Sequence, residues 1–137
     1  MALKVPDLGE RKLVNLLRLN WGTLQAGLFI ADHVPANGDT LATYVAIEAS
    51  FPGYARVDVL NWTVAADDGA GRARTAADLI TFTRTVSGVP QFVWGYFIVD
   101  PDGVQLWAER HPAPPVRMEM AGDVFRISPA FTLRSEL

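Results

Sequence analysis

Two histidines, no cysteine and a thin scatter of serines make up the nucleophile and base inventory of this chain. A hydrolytic triad needs a serine on an exposed elbow, an imidazole to take its proton and a carboxylate to orient that imidazole. Ser50, Ser87, Ser128 and Ser135 all lie outside a G-x-S-x-G turn, the sequence form of such an elbow. The base must then be His33 or His111, and each stands beside a proline-containing turn where an imidazole finds backbone or water partners. Asp32 adjoins His33, but neighbours on an extended strand point to opposite faces, so adjacency does not supply the orienting contact.

Metal and phosphate chemistry fare no better. Asp100, Asp102 and Gly103 echo the opening of a calcium loop, without its later oxygen ligands and closing glutamate. Asp67 and Asp68 before Gly69 are equally incomplete, and in both places Asp and Gly supply turn geometry unaided. "GAGR" at positions 69–72 is too short to cradle a phosphate and no helix follows it, so it reads as a hairpin tip. The remaining acids offer no privileged pair for glycoside cleavage. The expectation is a protein that is not an enzyme, with no metal and no cofactor.

The elements that would position any site follow from composition and period. The 137 residues fit one domain, residues 1–137, and half of them are hydrophobic while a fifth are charged, a globular balance. A net charge of -3 and a pI near 5.2 give no basic footprint for nucleic acid. Without cysteine, stability must come from burial. The opening "MALKVPDLGERK" is too charged for a secretory signal, and Arg18, Asn20, Gly22 and Gln25 interrupt the oily stretch from Leu13 to Ala31, so neither export nor a membrane span is expected.

Pro6 and Asp7 open the one clear helical segment. Leu13, Val14, Leu16 and Leu17 recur at helix spacing while Glu10, Arg11, Lys12 and Arg18 can face water, which predicts a helix over about 7–19, either capping the core or docking on a neighbouring subunit. From Leu24 onward short alternating runs are divided by Gly, Pro, Asn and Asp, the signature of an all-β antiparallel sandwich, jelly-roll-like, over about 24–134. Residues 40–54 are open between strand and short helix. In "ARVDVLNWTVA" Val57 and Val59 share one parity and Leu60, Trp62 and Val64 the other, so a bulge or a change of sheet is expected near Leu60 and Asn61. Val116, Met118 and Met120 should face inward, and Phe125, Ile127, Phe131 and Leu133 hold one parity through Pro129, which predicts a single long or bent final strand.

The stretch "VWGYFIVDPDGVQLWAERH" predicts a hairpin. Pro101, Asp102 and Gly103 suit a type I turn with a glycine bulge, pairing Asp100 with Val104. Counting outward, Trp94, Tyr96 and Ile98, with Phe92, fall on the core face; the reverse pairs Val99 with Gln105, Phe97 with Trp107 and Gly95 with Glu109. An aromatic couple among polar neighbours is a candidate interface, since exposed apolar patches mark interaction sites. The candidates are Phe97, Trp107, Gln105 and Glu109 on this hairpin, Leu13 and Leu17 on the helix, and Phe131, Leu133 and Arg134 on the closing segment.

"FPGYARVDVLNWT", the aromatic "GYFIVDPDGVQLWAER" hairpin and the closing "GDVFRISPAFTLRSEL" resemble an uncharacterised family of small bacteriophage virion structural proteins. The resemblance runs from "KVPDLGERKLVNLL" to the C-terminus, on turn and core signatures. It implies a virion component made in the host cytoplasm and, by analogy with jelly-roll cement proteins, a capsid decoration protein whose partners are the major capsid protein and itself, as a homo-dimer or homo-trimer. The helix and "FTLRSEL" would be the reaching elements. Two other readings stand beside it: a tail, baseplate or head-to-tail component, and a carbohydrate-binding module that stacks sugars on Trp62 or Trp107.

Overall fold

The computed structural model describes residues 6–69 and 71–133. Its order is α1 (Asp7–Asn20), β1 (Leu24–Phe29), α2 (Leu41–Val45), β2 (Val57–Val59), β3 (Ala66–Asp67), β4 (Ala73–Ala76), β5 (Ile80–Thr83), β6 (Gln91–Val93), β7 (Gly95–Val99), β8 (Gln105–Arg110), β9 (Val116–Met118), β10 (Val124–Ile127) and β11 (Ala130–Leu133). Every pairing among them is antiparallel. The first sheet runs β2-β1-β7-β8. Opposite it stand three shorter ladders, β11-β4-β3, β10-β5 and β6-β9.

Leu24, Ala26, Leu28, Val59, Tyr96 and Ile98 from the first sheet meet Ile80, Phe82, Val93, Met118, Phe125 and Ile127 from the others in one core. The fold is therefore an all-β, sandwich-like antiparallel structure with an N-terminal helix. Burying alternate residues of both layers is what the period of two in these runs prescribes. The first sheet is covered on its other face too: Phe29, Tyr44 and Phe97 form a second cluster there, held down by α2. Residues 40–54 thus resolve into a short helix, whose Thr40 and Thr43 form a reciprocal capping box, followed by an isolated bridge from Phe29 to Glu48.

The parity slip after Val59 is a change of sheet. β2 ends there, Asn61 adopts a left-handed φ of 59°, and the chain crosses to β3 in the opposite layer. Asn is among the few non-glycine residues that tolerate this conformation. Trp62 turns inward at the crossing, while Leu60 and Val64 stay exposed.

Several expectations need correction. The last strand is two: β10 pairs with β5 and β11 with β4, because buried Pro129 has no N–H to carry one ladder through. Met118 is fully buried but Met120 is exposed, since β9 ends at Met118 in a turn. Phe92 is also exposed. Trp94 leaves the core face, because the chain breaks between β6 and β7 at that residue and its ring joins the Phe29, Tyr44 and Phe97 cluster.

The hairpin turn forms as its residues require: Asp100 N–H donates to the Val104 carbonyl at 2.9 Å and Gly103 takes φ 81°. Val99 pairs with Gln105, as counted. Then β8 accommodates Leu106 as an extra residue, so Ile98 meets Trp107, Phe97 meets Ala108 and Tyr96 meets Glu109. The bulge flips everything beyond it. Phe97 and Trp107 lie on opposite faces of the sheet, and the exposed aromatic couple does not exist.

Candidate functional site

The helix α1 follows an extended Pro6 at its N-cap and carries Asp7 and Glu10 in its first turn and Arg18 in its last, charges that suit its dipole. It ends at Trp21, whose N–H donates to the Leu17 carbonyl at 2.9 Å, and Gly22 then takes a left-handed φ of 71°. One narrow side docks the helix. Val14 packs on Ala65 and Ala73, and the Asn15 Oδ1 accepts from the Ala65 N–H at 2.8 Å and from Arg18 Nε at 2.8 Å.

The helix docks by a narrower side than the simple reading of its pattern: Val14 is buried as expected, but Glu10 is buried beside it and the leucines are not. Glu10 is 2 % exposed, whereas Leu8 and Leu19 are 73 % and 69 % exposed and Leu13, Leu16 and Leu17 are each nearly half exposed. An amphipathic period fixes that a helix has two sides; it does not say which one meets the core. Here the leucines point outward. Leu13, Leu16, Leu17 and Asn20 line an open apolar groove of about 510 Å³, closed on its other side by Trp21 and Leu133.

Behind that groove lies an aromatic cluster. Trp21 stands 4.8 Å from Trp62 and 5.9 Å from Trp107 between ring centroids, and Phe131 is 6.0 Å from Trp21 and 5.5 Å from Trp107. These rings join residues from the end of α1, the β2–β3 crossing, β8 and β11. The indole N–H groups of Trp21 and Trp62 are enclosed without a hydrogen-bond acceptor among the described residues, so apolar contact, not hydrogen bonding, holds the cluster. Trp62 and Trp107 meet edge to face with ring centroids 6.1 Å apart, and both remain partly exposed.

Two polar networks lie on the Phe97 side of the first sheet, where Tyr44 stacks on the Phe97 ring and Arg56 lies over it. Asp39 Oδ2 accepts from the Ala36 N–H at 3.0 Å and the Tyr44 hydroxyl at 2.8 Å and meets His33 Nε2 at 2.7 Å. The His33 contact first, then the Ala36 N–H and the Tyr44 hydroxyl, hold the Asp39 carboxyl down at about 2. His33 therefore finds its carboxylate six residues along the chain, and Asp32 instead pairs with Arg110. The second network is a bidentate pair: Arg56 Nε and Nη2 reach the two Glu48 oxygens at 2.8 Å each, and the Tyr54 hydroxyl donates to Glu48 Oε1 at 2.7 Å. Burial works against the charge on Glu48, but the Arg56 and Tyr54 bonds outweigh it and its pKa lies below the ordinary value.

The turn carboxylates are occupied locally. Asp100 Oδ1 accepts from the Asp102 and Val104 N–H groups, Asp67 Oδ1 from the Gly69 N–H, and Asp68 pairs with Arg72 at 2.7 Å. No group of three metal-ligating side chains stands together among the described residues. No helix among them is long and apolar enough to cross a membrane.

Of the interface candidates, Leu13, Leu17 and Leu133 come together in the α1 groove, with Phe131 and Trp107 in the aromatic cluster behind it. Leu16 and Trp21 belong to the same surface and were missed, although the i, i+3, i+4 spacing of Leu13, Leu16 and Leu17 carries the signal. Phe97 drops out: it is 0 % exposed, stacked under Tyr44 with ring centroids 5.2 Å apart. Gln105 and Glu109 lie elsewhere on β8, Glu109 accepting the Tyr96 hydroxyl at 2.7 Å. Arg134 lies outside the described residues. Compared with family models, with curated proteins and with solved structures, the chain matches none.

Proposed function

We propose that this chain is a non-enzymatic structural protein of a bacteriophage virion, one that decorates the icosahedral capsid by binding the major capsid protein and other copies of itself. The observation that carries the reading is the outward leucine face of α1 with the groove it forms against Trp21 and Leu133. A small domain rarely leaves so much contiguous apolar surface to water unless another macromolecule covers it. The resemblance of the "PGYA" segment, the aromatic hairpin and "PAFTLRSE" to small phage virion proteins supports the setting. A rigid sandwich bearing one adhesive face also suits a repetitive lattice, where many copies turn modest contacts into firm attachment.

Mass spectrometry of purified virions tests this directly. The expected result is a copy number comparable with that of the major capsid protein. A handful of copies per particle would favour a tail, baseplate or head-to-tail role instead, and absence from the particle would end the structural reading.

A further inference from the structure

We infer that the cavity between β8 and β10 is a binding site for one small sugar acid, which sets its carboxylate on Arg126 and its hydroxyls on Glu109, His111 and Ser128. The inference goes beyond the capsid reading and uses a part of the molecule that reading leaves idle. β8 is the outer strand of the first sheet and β10 belongs to a two-stranded ladder of the opposite layer, so no strand pairing closes the seam between them. A cavity of about 230 Å³ opens there. Tyr96, Glu109 and Arg110 line it from one layer, Phe125, Arg126 and Ser128 from the other, and His111 from the connector after β8. Pockets for drug-sized ligands run from roughly 300 to 1,000 Å³, so this one suits a ligand of about a single sugar ring.

What marks the cavity is chemistry left open. The Asp39 and Glu48 carboxylates are satisfied within the chain, the first by His33, Ala36 and Tyr44 and the second by Arg56 and Tyr54. The Arg126 guanidinium, by contrast, has no ion pair or hydrogen bond among the described residues, and neither has the Ser128 hydroxyl. His111 Nδ1 accepts the Ala113 N–H at 3.1 Å, which leaves Nε2 as the ring's free donor. Glu109 Oε2 accepts the Tyr96 hydroxyl at 2.7 Å, and Oε1 stays open as an acceptor. Arg110 adds no free charge, since its Nη1 reaches Asp32 at 2.5 Å. One unpaired guanidinium is the match for one carboxylate, held through two parallel bonds. A doubly charged phosphate would set excess negative charge against Glu109 with no second free cation to offset it. The same Glu109 asks the ligand for a donor, which acetate lacks and a hydroxyl supplies. Phe125 and Ile127 give the ring carbons an apolar wall.

NMR titration of the full chain with sodium D-glucuronate tests the site, with D-glucose, acetate and L-alanine as comparators. The expected result is a dissociation constant of roughly 1 mM, with the largest shifts at the amides of Glu109, His111, Arg126 and Ser128. Glucose, which lacks the carboxylate, and acetate, which lacks the hydroxyls, should each bind at least about tenfold more weakly. Arg126→Gln changes an exposed strand residue, so the fold should persist, and glucuronate affinity should fall at least about tenfold. Glu109→Gln removes the opposing charge, so acetate should gain affinity and its disadvantage against glucuronate should shrink. No shift at roughly 20 mM glucuronate overturns the inference. So does equal binding of glucose, or an Arg126→Gln variant that binds like the parent. Tighter binding of alanine than of glucuronate would also overturn it, by giving the open Glu109 oxygen to an ammonium group. Virion copy number is measured separately, so failure here leaves the capsid reading untouched.

Discussion

Phe97 lies directly across the strand pair from Gly27, and its ring fills the space that a Cβ at position 27 would occupy. The glycine is required by close approach, not by backbone conformation. An aromatic ring laid over a strand glycine shields the bare backbone and locks the pair. Gly27→Ala should therefore cost about 1–3 kcal/mol, the range for overpacking a closed core. The loss should appear as a lower denaturation midpoint in urea with an unchanged slope. A neutral effect would mean that Phe97 is free to move.

Leu106 is the extra residue of the β8 bulge, so its deletion should keep both Val99 opposite Gln105 and Ile98 opposite Trp107. The expected product folds, with the same cross-strand contacts in NMR spectra. What it loses is a defence, because β8 is an edge strand of the first sheet and bulges discourage edge-to-edge association. The deletion variant should aggregate faster on mild heating than the parent. Removing Ala108 instead would flip Trp107 out of the core side and should prevent folding.

These two cases mark what the residues announce and what they conceal. The "DPDG" turn, the sheet change at Asn61, the alternation of Ile80 and Phe82 and the span of α1 are all written in local chemistry: a glycine where φ must be positive, a period of two, a period near 3.6. The bulge at Leu106 is not, because no residue type demands it; it arises from fitting Trp107 against Trp21, Trp62 and Phe131 across the molecule. The same holds for α1. Its leucine spacing shows an apolar side, but only the position of Ala65 and Ala73 selects Val14 as the docked residue. Three members of the groove were nameable from the sequence, and Phe97 was misplaced by a single residue of register.

Acid should unfold the loop around Asp39 before the core responds. A folded-state pKa depressed to about 2 means that the unfolded chain binds the proton more readily, so the stabilisation is complete above the ordinary carboxylate range, near pH 4, and drains away as pH falls toward 2. Glu48, also depressed, adds to the loss in the same direction. The melting temperature should fall over that window. Asp39→Asn should flatten this part of the curve while lowering stability at neutral pH, and a variant with an unchanged acid limb would show that Asp39 is not its source.

Arg84 is 3 % exposed and gives its guanidinium to three carbonyls, Val86 at 2.7 Å, Val89 at 2.9 Å and Met118 at 2.7 Å. It ties the 85–90 loop to β9. Arg84→Met preserves much of the volume and strands those acceptors, so a loss of about 2–4 kcal/mol is expected. Arg84→Lys should recover little, because one ammonium cannot span the fork. Hydrogen exchange should rise first at Gly88, whose N–H donates to the Glu119 carbonyl.

The orientation of α1 decides the functional reading, and stability measurements test it without any partner. If the leucines face solvent, Leu13→Ala, Leu16→Ala and Leu19→Ala remove little buried surface and should each cost less than about 1 kcal/mol in a dilute, monomeric sample. Val14→Ala opens a hole against Ala65 and Ala73 and should cost about 1–3 kcal/mol, despite being the smaller truncation. That inversion, a valine mattering more than any neighbouring leucine, is the signature of a helix held by a thin docked edge. At concentrations where copies associate, the leucine variants should begin to lose stability relative to the parent, because whatever covers that face stabilises the folded state by mass action. Leucine truncations as damaging as Val14→Ala in dilute solution would mean the face is already covered within the chain, and the association surface would have to be sought elsewhere.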